Sequence, residues 1–397
     1  MILRILGAAS ASLRTVAAVY TLAWGAWWCV LCLLAIPGVK PRTDRLASRS
    51  WLVIVPAHNE EQLVEACVKS LLRSGAGLPA EPTVLVIADN CDDRTATISR
   101  VAGAVVYERT DPVRRGKGYA LEDAISGISS GSLGLPVPDF VAFVDADSLV
   151  DAAFLPEMQR ELARGARVAQ AYYEVADDGE LTRLRRLAFK LLHWGRPLGM
   201  ARLGLGSGLK GNGMAMRWEI ATEGLGSVGI AEDAAMTLAA AERGIPVAFV
   251  PRARVSGFMA STYADARVQD ERWERGRLRM MPRAVAAALR ALRRGQVGAA
   301  AGALDVAAPP LTLVVGLASA LGFLQVVHPV RRGWLSIAAF VSVGLYVPLG
   351  LIASRASWRE VSALAMAPRF VLYKVVVLAG SLWSRQGDEW RRTNRTR

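Results

Sequence analysis

The chain is poor in the residues that most often bind metals or form nucleophile–base pairs. Its 397 residues include three histidines, His58, His193 and His328, scattered too widely to outline a Ser/His/Asp arrangement. Of four cysteines, Cys29 and Cys32 have CxxC spacing, but they sit in an apolar segment with no second pair and no histidine cluster. Zinc and redox readings therefore fall away, and reduced thiols remain. No GxxxxGK[ST] occurs, which excludes a P-loop ATPase, and the GxGxxG at Gly206, Gly208 and Gly211 lies far from any first strand. Negative charge is also short: 35 acids face 48 lysines and arginines, leaving a formal charge of +13. That balance favours an anionic partner: nucleic acid, an anionic membrane surface or a phosphorylated substrate. No recognisable nucleic-acid module accompanies it.

Apolar residues make up 52% of the chain. Between Arg14 and Lys40 there is no charge at all, a run longer than a signal-peptide core and sufficient to span a bilayer. Lys40, Arg42, Arg45 and Arg49 follow it, so the positive-inside rule places the next domain in the cytoplasm. Two more clean spans are expected at 306–327 and 333–354. A fourth apolar segment, 361–384, is broken by Pro368, Arg369 and Lys374, and crossing there would send the basic tail "RRTNRTR" outward. It is therefore expected to be interfacial or re-entrant. Leu181, Leu184, Leu187, Leu191 and Leu192 share one face of a basic helical pattern, which predicts a helix lying on the membrane surface. Between 252 and 294, 11 arginines face four acids.

The middle of the chain alternates. Runs rich in β-formers at 51–55, 83–88, 104–107 and 140–144 are separated by helical patterns at about 60–73, 94–102, 117–130 and 151–164. This predicts βαβ units and a mostly parallel sheet, with ligands at the carboxyl ends of its strands. Polar clusters stand at those ends: "PAHNEE", "DNCDD" and "DADS". In "VAFVDADSLV", Asp145 and Asp147 are one residue apart, so on a strand both would project from one face. A lone DxD is expected about once by chance in a chain of this composition, and Asp147 or Ser148 would serve as an ordinary helix cap.

The company is more specific. "VPAHNEE" (55–61), "VIADNCDDRT" (86–95), "RGKGYAL" (115–121), "FVDADS" (143–148), "GNGMAM" (211–216), "AEDAAM" (231–236) and "QDERW" (269–273) occur in that order. Together they resemble membrane-bound family-2 glycosyltransferases, the group of cellulose, chitin, hyaluronan and poly-N-acetylglucosamine synthases. The resemblance covers roughly 50–300 and the flanking spans. It implies an α/β fold with a GT-A-type nucleotide-sugar domain flanked by transmembrane helices, a divalent metal and inversion at the anomeric carbon.

Roles carry over by position. Asp145 and Asp147 would hold Mg²⁺ or Mn²⁺, hard cations suited to oxygen ligands, against the donor diphosphate. Arg272 would add a guanidinium on the leaving group, and Lys117 a further donor, unless it is a solvated turn lysine. Asp233 matches the general base that takes the acceptor proton, although it and Glu232 would also suit a helix N-terminus. Asp89 would contact the nucleobase or ribose, with Pro56, Ala57, His58 and Glu60 lining that pocket. Asn212 would face the acceptor, Trp273 would stack on a sugar ring, and Gln269 completes the motif. Two departures stand out: Ala88 precedes Asp89 where relatives often double the acid, and Ala231 stands where a threonine is common.

The function so implied is an inverting hexosyltransferase that moves a sugar, first of all from a UDP-sugar, to a lipid-linked or growing polysaccharide acceptor in exopolysaccharide or cell-envelope glycan synthesis. Membrane lipids and polysaccharide-export proteins are the partners implied. The competing reading is a membrane-tethered nucleotide-sugar scaffold or sensor without transfer activity. The expected layout is a transmembrane helix at 1–40, a cytoplasmic GT-A-type domain with interfacial helices at 41–300, membrane or interfacial helices at 301–385 and a basic cytoplasmic tail at 386–397. The chain would then be a multi-pass protein of the inner membrane.

Overall fold

The structure, a computed structural model, describes residues 2–176, 180–223, 232–259, 263–330 and 332–383. Ala231 and the basic tail lie outside the described residues, as do the Leu181 and Glu232 side chains.

Helix α1 (Ile2–Ala35) leads into an α/β unit built as β1 (Trp51–Ala57), α2 (Val64–Gly75), β2 (Thr83–Asp89), α3 (Thr95–Val101), β3 (Val105–Arg109), α4 (Lys117–Ser129) and β4 (Phe140–Phe143). The chain continues through β5 (Ser148–Val150), α5 (Phe154–Ala163) and β6 (Val168–Val175). Then come α6 (Glu180–Phe189), a π-helical turn (Lys190–Gly195), α7 (Arg196–Arg202), β7 (Met214–Arg217), α8 (Trp218–Thr222), α9 (Glu232–Glu242) and β8 (Val247–Gly257). The expected alternation up to α5 is present, with β1, β2, α4 and β4 starting where expected and the other boundaries shifted by a few residues.

The strands form one sheet in the order β3-β2-β1-β4-β7-β6-β8-β5. β1, β2, β3 and β4 run parallel, whereas β7 is antiparallel to β4 and β6, and β5 to β8. Both faces are covered, and this explains the unbroken apolar runs of the central strands. Successive β1 side chains alternate between two cores. Val53 and Val55 pack with Val84, Val86 and α2, while Leu52 and Ile54 pack with Leu85, Ile87 and α4. Fully burying each such side chain contributes about 1.5–3 kcal/mol. After β1 the chain adds β2 on one side and later β4 on the other, so the sheet order reverses at β1. Ligands bind at such a switch point, beyond the strands' carboxyl ends.

A long helix, α10 (Tyr263–Arg293), follows the sheet, then α11 (Val297–Ala307), α12 (Leu311–Val327), α13 (Trp334–Ala353), α14 (Trp358–Ser362), a 3₁₀ turn (Ala363–Met366) and α15 (Ala367–Trp383). Three helical stretches among the described residues are long and apolar enough to cross a membrane: Ala11–Ala35, Trp334–Ala353 and Trp358–Leu378. The set differs from the expected one in two places. The span expected at 306–327 is a 17-residue helix that joins α11 at a bend of 69°, because Pro309 and Pro310 interrupt the ladder between them. The bent pair together is long and apolar enough for a broken span or a re-entrant loop. The segment at 361–384, expected to be interfacial or re-entrant, meets the length and hydropathy of a span.

α1 packs against α13 through Trp28, Cys32, Val343 and Tyr346, and the Arg196 guanidinium lies 3.7 Å from the Trp28 ring centroid. The leucine face of α6, expected to meet lipid, is a correction: Leu184 and Leu187 are buried against Ala266 of α10 and against Ala363 and Phe370. Protein covers that face.

Candidate active site

Two asparagines in the left-handed region begin the site. Asn59 (φ 56°) and Asn90 (φ 51°) turn the chain as β1 and β2 end, a conformation asparagine tolerates better than most residues. Asn59 Oδ1 accepts from Asp92 N (3.0 Å) and Asn90 Oδ1 from Asp111 N (3.0 Å), which fastens the neighbouring loops together. Pro56 and Ala57 complete β1, His58 Nδ1 contacts Asp89 O at 2.7 Å, and Glu60 N donates to Thr95 Oγ1 at 2.8 Å. The structure thus places Pro56, Ala57, His58, Glu60 and Asp89 at adjoining strand ends.

Asp89 is more tightly held than the sequence indicated. Its Oδ1 accepts from Arg109 Nη1 (2.6 Å) and Asn90 Nδ2 (2.8 Å), while Oδ2 receives a long bond from Gly116 N (3.5 Å). Arg109, at the carboxyl end of β3, also donates to Asp123 (2.6 Å) and Asp111 (3.2 Å). Burial works against its charge, but Asp123 and Asp89 outweigh it and hold the guanidinium above its ordinary pKa. Sequence reasoning missed Arg109. The available signal was a basic residue ending the third strand of a sheet whose other strand ends carry acids.

The DxD pair is a second correction. β4 ends at Phe143, and Asp145 and Asp147 lie in the turn before β5, not on one face of a strand. Ser148 begins β5 and caps no helix. Ser148 N donates to Asp145 O at 3.1 Å and its hydroxyl to Asp147 Oδ1 at 3.1 Å. Asn212 clamps the turn from the other side: its Oδ1 accepts from Asp145 N (3.1 Å) and its Nδ2 donates to Ser148 Oγ (2.8 Å). At 1% exposure, Asn212 braces the turn and presents no amide edge to solvent where an acceptor would sit.

Lys117 opens α4 and is no solvated turn lysine. Its Nζ donates to Asp145 Oδ1 (2.6 Å) and Gly211 O (2.7 Å). Gly211 and Gly213 have φ of +78° and +66°, backbone that other residues rarely adopt. A β-carbon on Gly211 would sit 3.7 Å from Asp233 Cγ and Oδ2. That is an ordinary contact, so the positive φ and not a lack of space calls for glycine here. Asp233, at the start of α9, lies beside the loop whose carbonyl Lys117 grips. Asp233 Oδ1 also accepts from Ala234 N at 2.8 Å. Gln170, another residue the sequence did not reveal, supports the loop by donating to Asn212 O (2.8 Å) and accepting from Lys210 N (2.9 Å).

These contacts bring Asp145, Asp147, Lys117, Asn212 and Asp233 together. Gln269, Arg272 and Trp273 lie on α10. Gln269 is buried, and Trp273 is 38% exposed. Behind the DxD turn, Tyr173 stacks on His193 with ring centroids 5.7 Å apart, and His193 Nδ1 contacts Tyr173 O at 3.2 Å. Burial pushes the Cys67 thiol up to about 12, with Asp145 adding to it, so its closeness to the turn does not make it reactive.

Among the described residues no group of three His, Cys, Asp or Glu side chains is placed to hold a metal. The turn offers two carboxylates. Hard oxygen donors on one turn fit Mg²⁺ or Mn²⁺ when phosphate oxygens and water fill the remaining positions.

A carboxylate-bearing turn beside the switch point of an open, mostly parallel sheet defines a GT-A-type transferase fold. Residues 49–276 match the glycosyltransferase-like family 2 model, and the chain belongs to that family of transferases. It is 33% identical over 121 residues to an uncharacterised glycosyltransferase of Mycobacterium tuberculosis, covering 30% of this chain and 47% of that protein. It is 30% identical over 137 residues to 4,4'-diaponeurosporenoate glycosyltransferase of Staphylococcus haemolyticus, covering 32% of this chain and 33% of that one. The chain thus spans half or less of the length of these curated relatives. The fold is similar over 94% of this chain and all of the other to a mannosyltransferase of Pyrobaculum calidifontis, solved with GDP-mannose and Mn²⁺ (15% identity, TM-score 0.57).

Proposed function

We propose that the protein is an inverting, metal-dependent glycosyltransferase that moves a hexosyl group from a nucleotide-sugar, first of all a UDP-sugar, to a lipid-linked or polysaccharide acceptor at the cytoplasmic membrane face. The observation that carries this reading is the convergence of Asp145, Lys117, Gly211 and Asp233 on one point beyond the switch point. Transfer with inversion needs a cation at the departing diphosphate and a carboxylate on the acceptor's side of the anomeric carbon. Asp145 and Asp147 would hold Mg²⁺ or Mn²⁺, which supplies a Lewis acid to the phosphate oxygens when bound.

Lys117 adds a second positive charge at the diphosphate beside the one the metal would bring. Asp233, beside the Gly211 loop, takes the proton from the attacking hydroxyl. Asp89, held by Arg109, contacts the nucleoside through its less encumbered oxygen. Arg272 binds the diphosphate, Gln269 belongs to the same site, and Trp273 offers a half-exposed ring for an acceptor sugar to stack on. Glu232, beside the base, contributes to the acceptor side.

The proposed layout keeps a membrane helix at 1–40, the transferase domain at 41–300 and membrane or interfacial helices at 301–385, ahead of a basic tail. The apolar helices support a membrane location, and the cationic stretch after α1 supports a cytoplasmic domain. Purified membranes supplied with labelled UDP- and GDP-sugars, Mn²⁺ or Mg²⁺ and lipid acceptors test the reading. Wild type should transfer and Asp233→Asn should lose at least about 100-fold, the scale of a removed general base. Transfer that survives Asp233→Asn removes the assigned base. A wild type inert with every donor leaves the scaffold reading in its place.

A further inference from the structure

The stretch Trp358–Leu378, which runs from α14 into α15, is long and apolar enough to cross a membrane, yet it carries Lys374 and Arg369 near Tyr263 and Tyr373. Ionisable residues in such a helix are rare and turn toward protein partners. Lys374 Nζ lies 3.5 Å from Asp270 Oδ2 and 3.4 Å from Glu274 Oε1. The Tyr373 hydroxyl donates to the same Asp270 oxygen at 3.1 Å, and Arg185 of α6 donates to it at 2.8 Å. Tyr263 of α10 packs on Tyr373 at 4.9 Å, and the Arg369 guanidinium lies 5.2 Å from the Tyr263 ring centroid. A second buried pair, Lys190–Glu360 at 2.8 Å, fastens the start of this segment, where Glu360 also completes a capping box with Ser357. The segment from Ser357 to Lys374 is thus a strap tied to α6 and to the first turns of α10.

Asp270 is the second residue of "QDERW". Asp270 and Glu274 are four apart and share one face of α10, the face that meets the strap. Gln269, Arg272 and Trp273, at i, i+3 and i+4, share a face turned about 100° away. Whatever fixes Asp270 therefore fixes the rotation of α10 and the aim of the other three. Side chains reach about 5–6 Å from a helix axis, so a turn of roughly 10° moves them by about 1 Å. A displacement of that size at a reacting centre costs about 100-fold in rate. A buried ion cluster is weak evidence of stabilisation in itself, because an apolar contact would serve as well. Its position inside the motif points to aim.

The geometry points to Asp270, held by Lys374 and Tyr373 of the C-terminal strap, as a positioning residue that sets the orientation of Gln269, Arg272 and Trp273 for transfer. This inference rests on the proposed function for its kinetic half and on the fold alone for its structural half. The test uses the full chain in nanodiscs, with Lys374→Met, Tyr373→Phe and Lys374→Arg. Hydrogen exchange of residues 263–276 is read with no donor present, and kcat and donor KM are read with the best donor.

Lys374→Met should raise exchange in 263–276 and lower kcat by about 10- to 100-fold with KM within about 3-fold, and Lys374→Arg should restore both. Tyr373→Phe, the milder change if Lys374→Met folds poorly, should move both readouts the same way by a smaller factor. Unchanged exchange in 263–276, or an unchanged kcat, overturns the inference. If wild type transfers no sugar, the proposed function fails. Exchange then decides alone: lost protection in Lys374→Met supports the strap, and retained protection overturns it.

Discussion

Arg109 offers the sharpest test of the site's construction, because one guanidinium holds three carboxylates of unequal burial. Arg109→Met keeps most of the stem and removes the charge. The Asp89 arm dominates the expected loss. Its side chain is 9% exposed and that of Arg109 3%, so breaking the pair strands a buried carboxylate at about 3–5 kcal/mol. Asp123 and Asp111 are 25% and 29% exposed, so water screens them and each arm contributes no more than about 1 kcal/mol. At roughly 2–4 °C per kcal/mol for a domain of this size, the thermal midpoint should fall by about 6–20 °C. Thermal unfolding of the detergent-solubilised chain by intrinsic fluorescence measures it. Arg109→Lys should fall between the two, since a point charge cannot reach three partners at once. Adding Asp89→Asn to Arg109→Met should recover part of the loss, because the stranded charge is then gone. A midpoint for Arg109→Met indistinguishable from wild type would refute the burial argument, and a double variant worse than the single would show that packing, not charge, was lost.

Two further predictions concern the supports of the site. Burial, with Lys210 adding to it, pulls the His193 imidazole from its usual 6.5 down to about 3. The unfolded chain then binds a proton below pH 6.5 that the fold refuses, so stability is unaffected above that pH and falls as pH drops toward 3, by on the order of 2 kcal/mol at pH 5. His193→Gln keeps an N–H for Tyr173 O and should lose less of its thermal midpoint between pH 7 and pH 5 than wild type; equal acid sensitivity in the two would rule this out. Lys117→Met should weaken binding of a nucleoside diphosphate by about 10-fold by titration calorimetry, the scale of one lost charge-assisted bond. Its midpoint should barely move, because the Lys117–Asp145 pair is 23% and 33% exposed. A large midpoint drop with unchanged binding would make the lysine a structural post.

The central strands were legible because a doubly covered parallel strand has to be apolar along its whole length, as β1 and β2 are. The acids and asparagines at their ends were legible because an open sheet presents its ligand groups there. Less could be read of β5, β7 and β8, whose partners lie far along the chain and whose antiparallel pairing has no local signature. Arg109 escaped notice because its meaning depends on Asp89, Asp111 and Asp123 meeting around it, which spacing alone does not reveal. The leucine face of α6 shows the opposite error. Amphipathic periodicity announces an apolar partner without saying whether it is lipid or protein, and Ala266, Ala363 and Phe370 supply the protein. The segment at 361–384 was read from its charges alone, and spacing could not show that Lys374 meets Asp270 and Glu274 of α10.

The DxD turn carries the most instructive difference. On a strand the two carboxylates would share one face and repel, and only an arriving cation would relieve them. In the turn each has a partner of its own, Lys117 for Asp145 and the Ser148 hydroxyl for Asp147, with Asn212 fixing the backbone between them. The repulsion is thus eased before any ligand arrives. This changes what donor binding must accomplish. On the proposed function, a diphosphate reaching this point would compete with Asp145 and Gly211 O for the Lys117 ammonium, and the carboxylate it displaced would be one of the two that hold the metal. Binding of nucleotide and of Mg²⁺ or Mn²⁺ should therefore be mutually reinforcing in wild type, since each frees a group the other uses. Replacing Lys117 by methionine should shrink that coupling. Calorimetric titration of nucleoside diphosphate with and without Mn²⁺ reads it directly, and equal coupling in both proteins would mean the lysine never leaves Asp145.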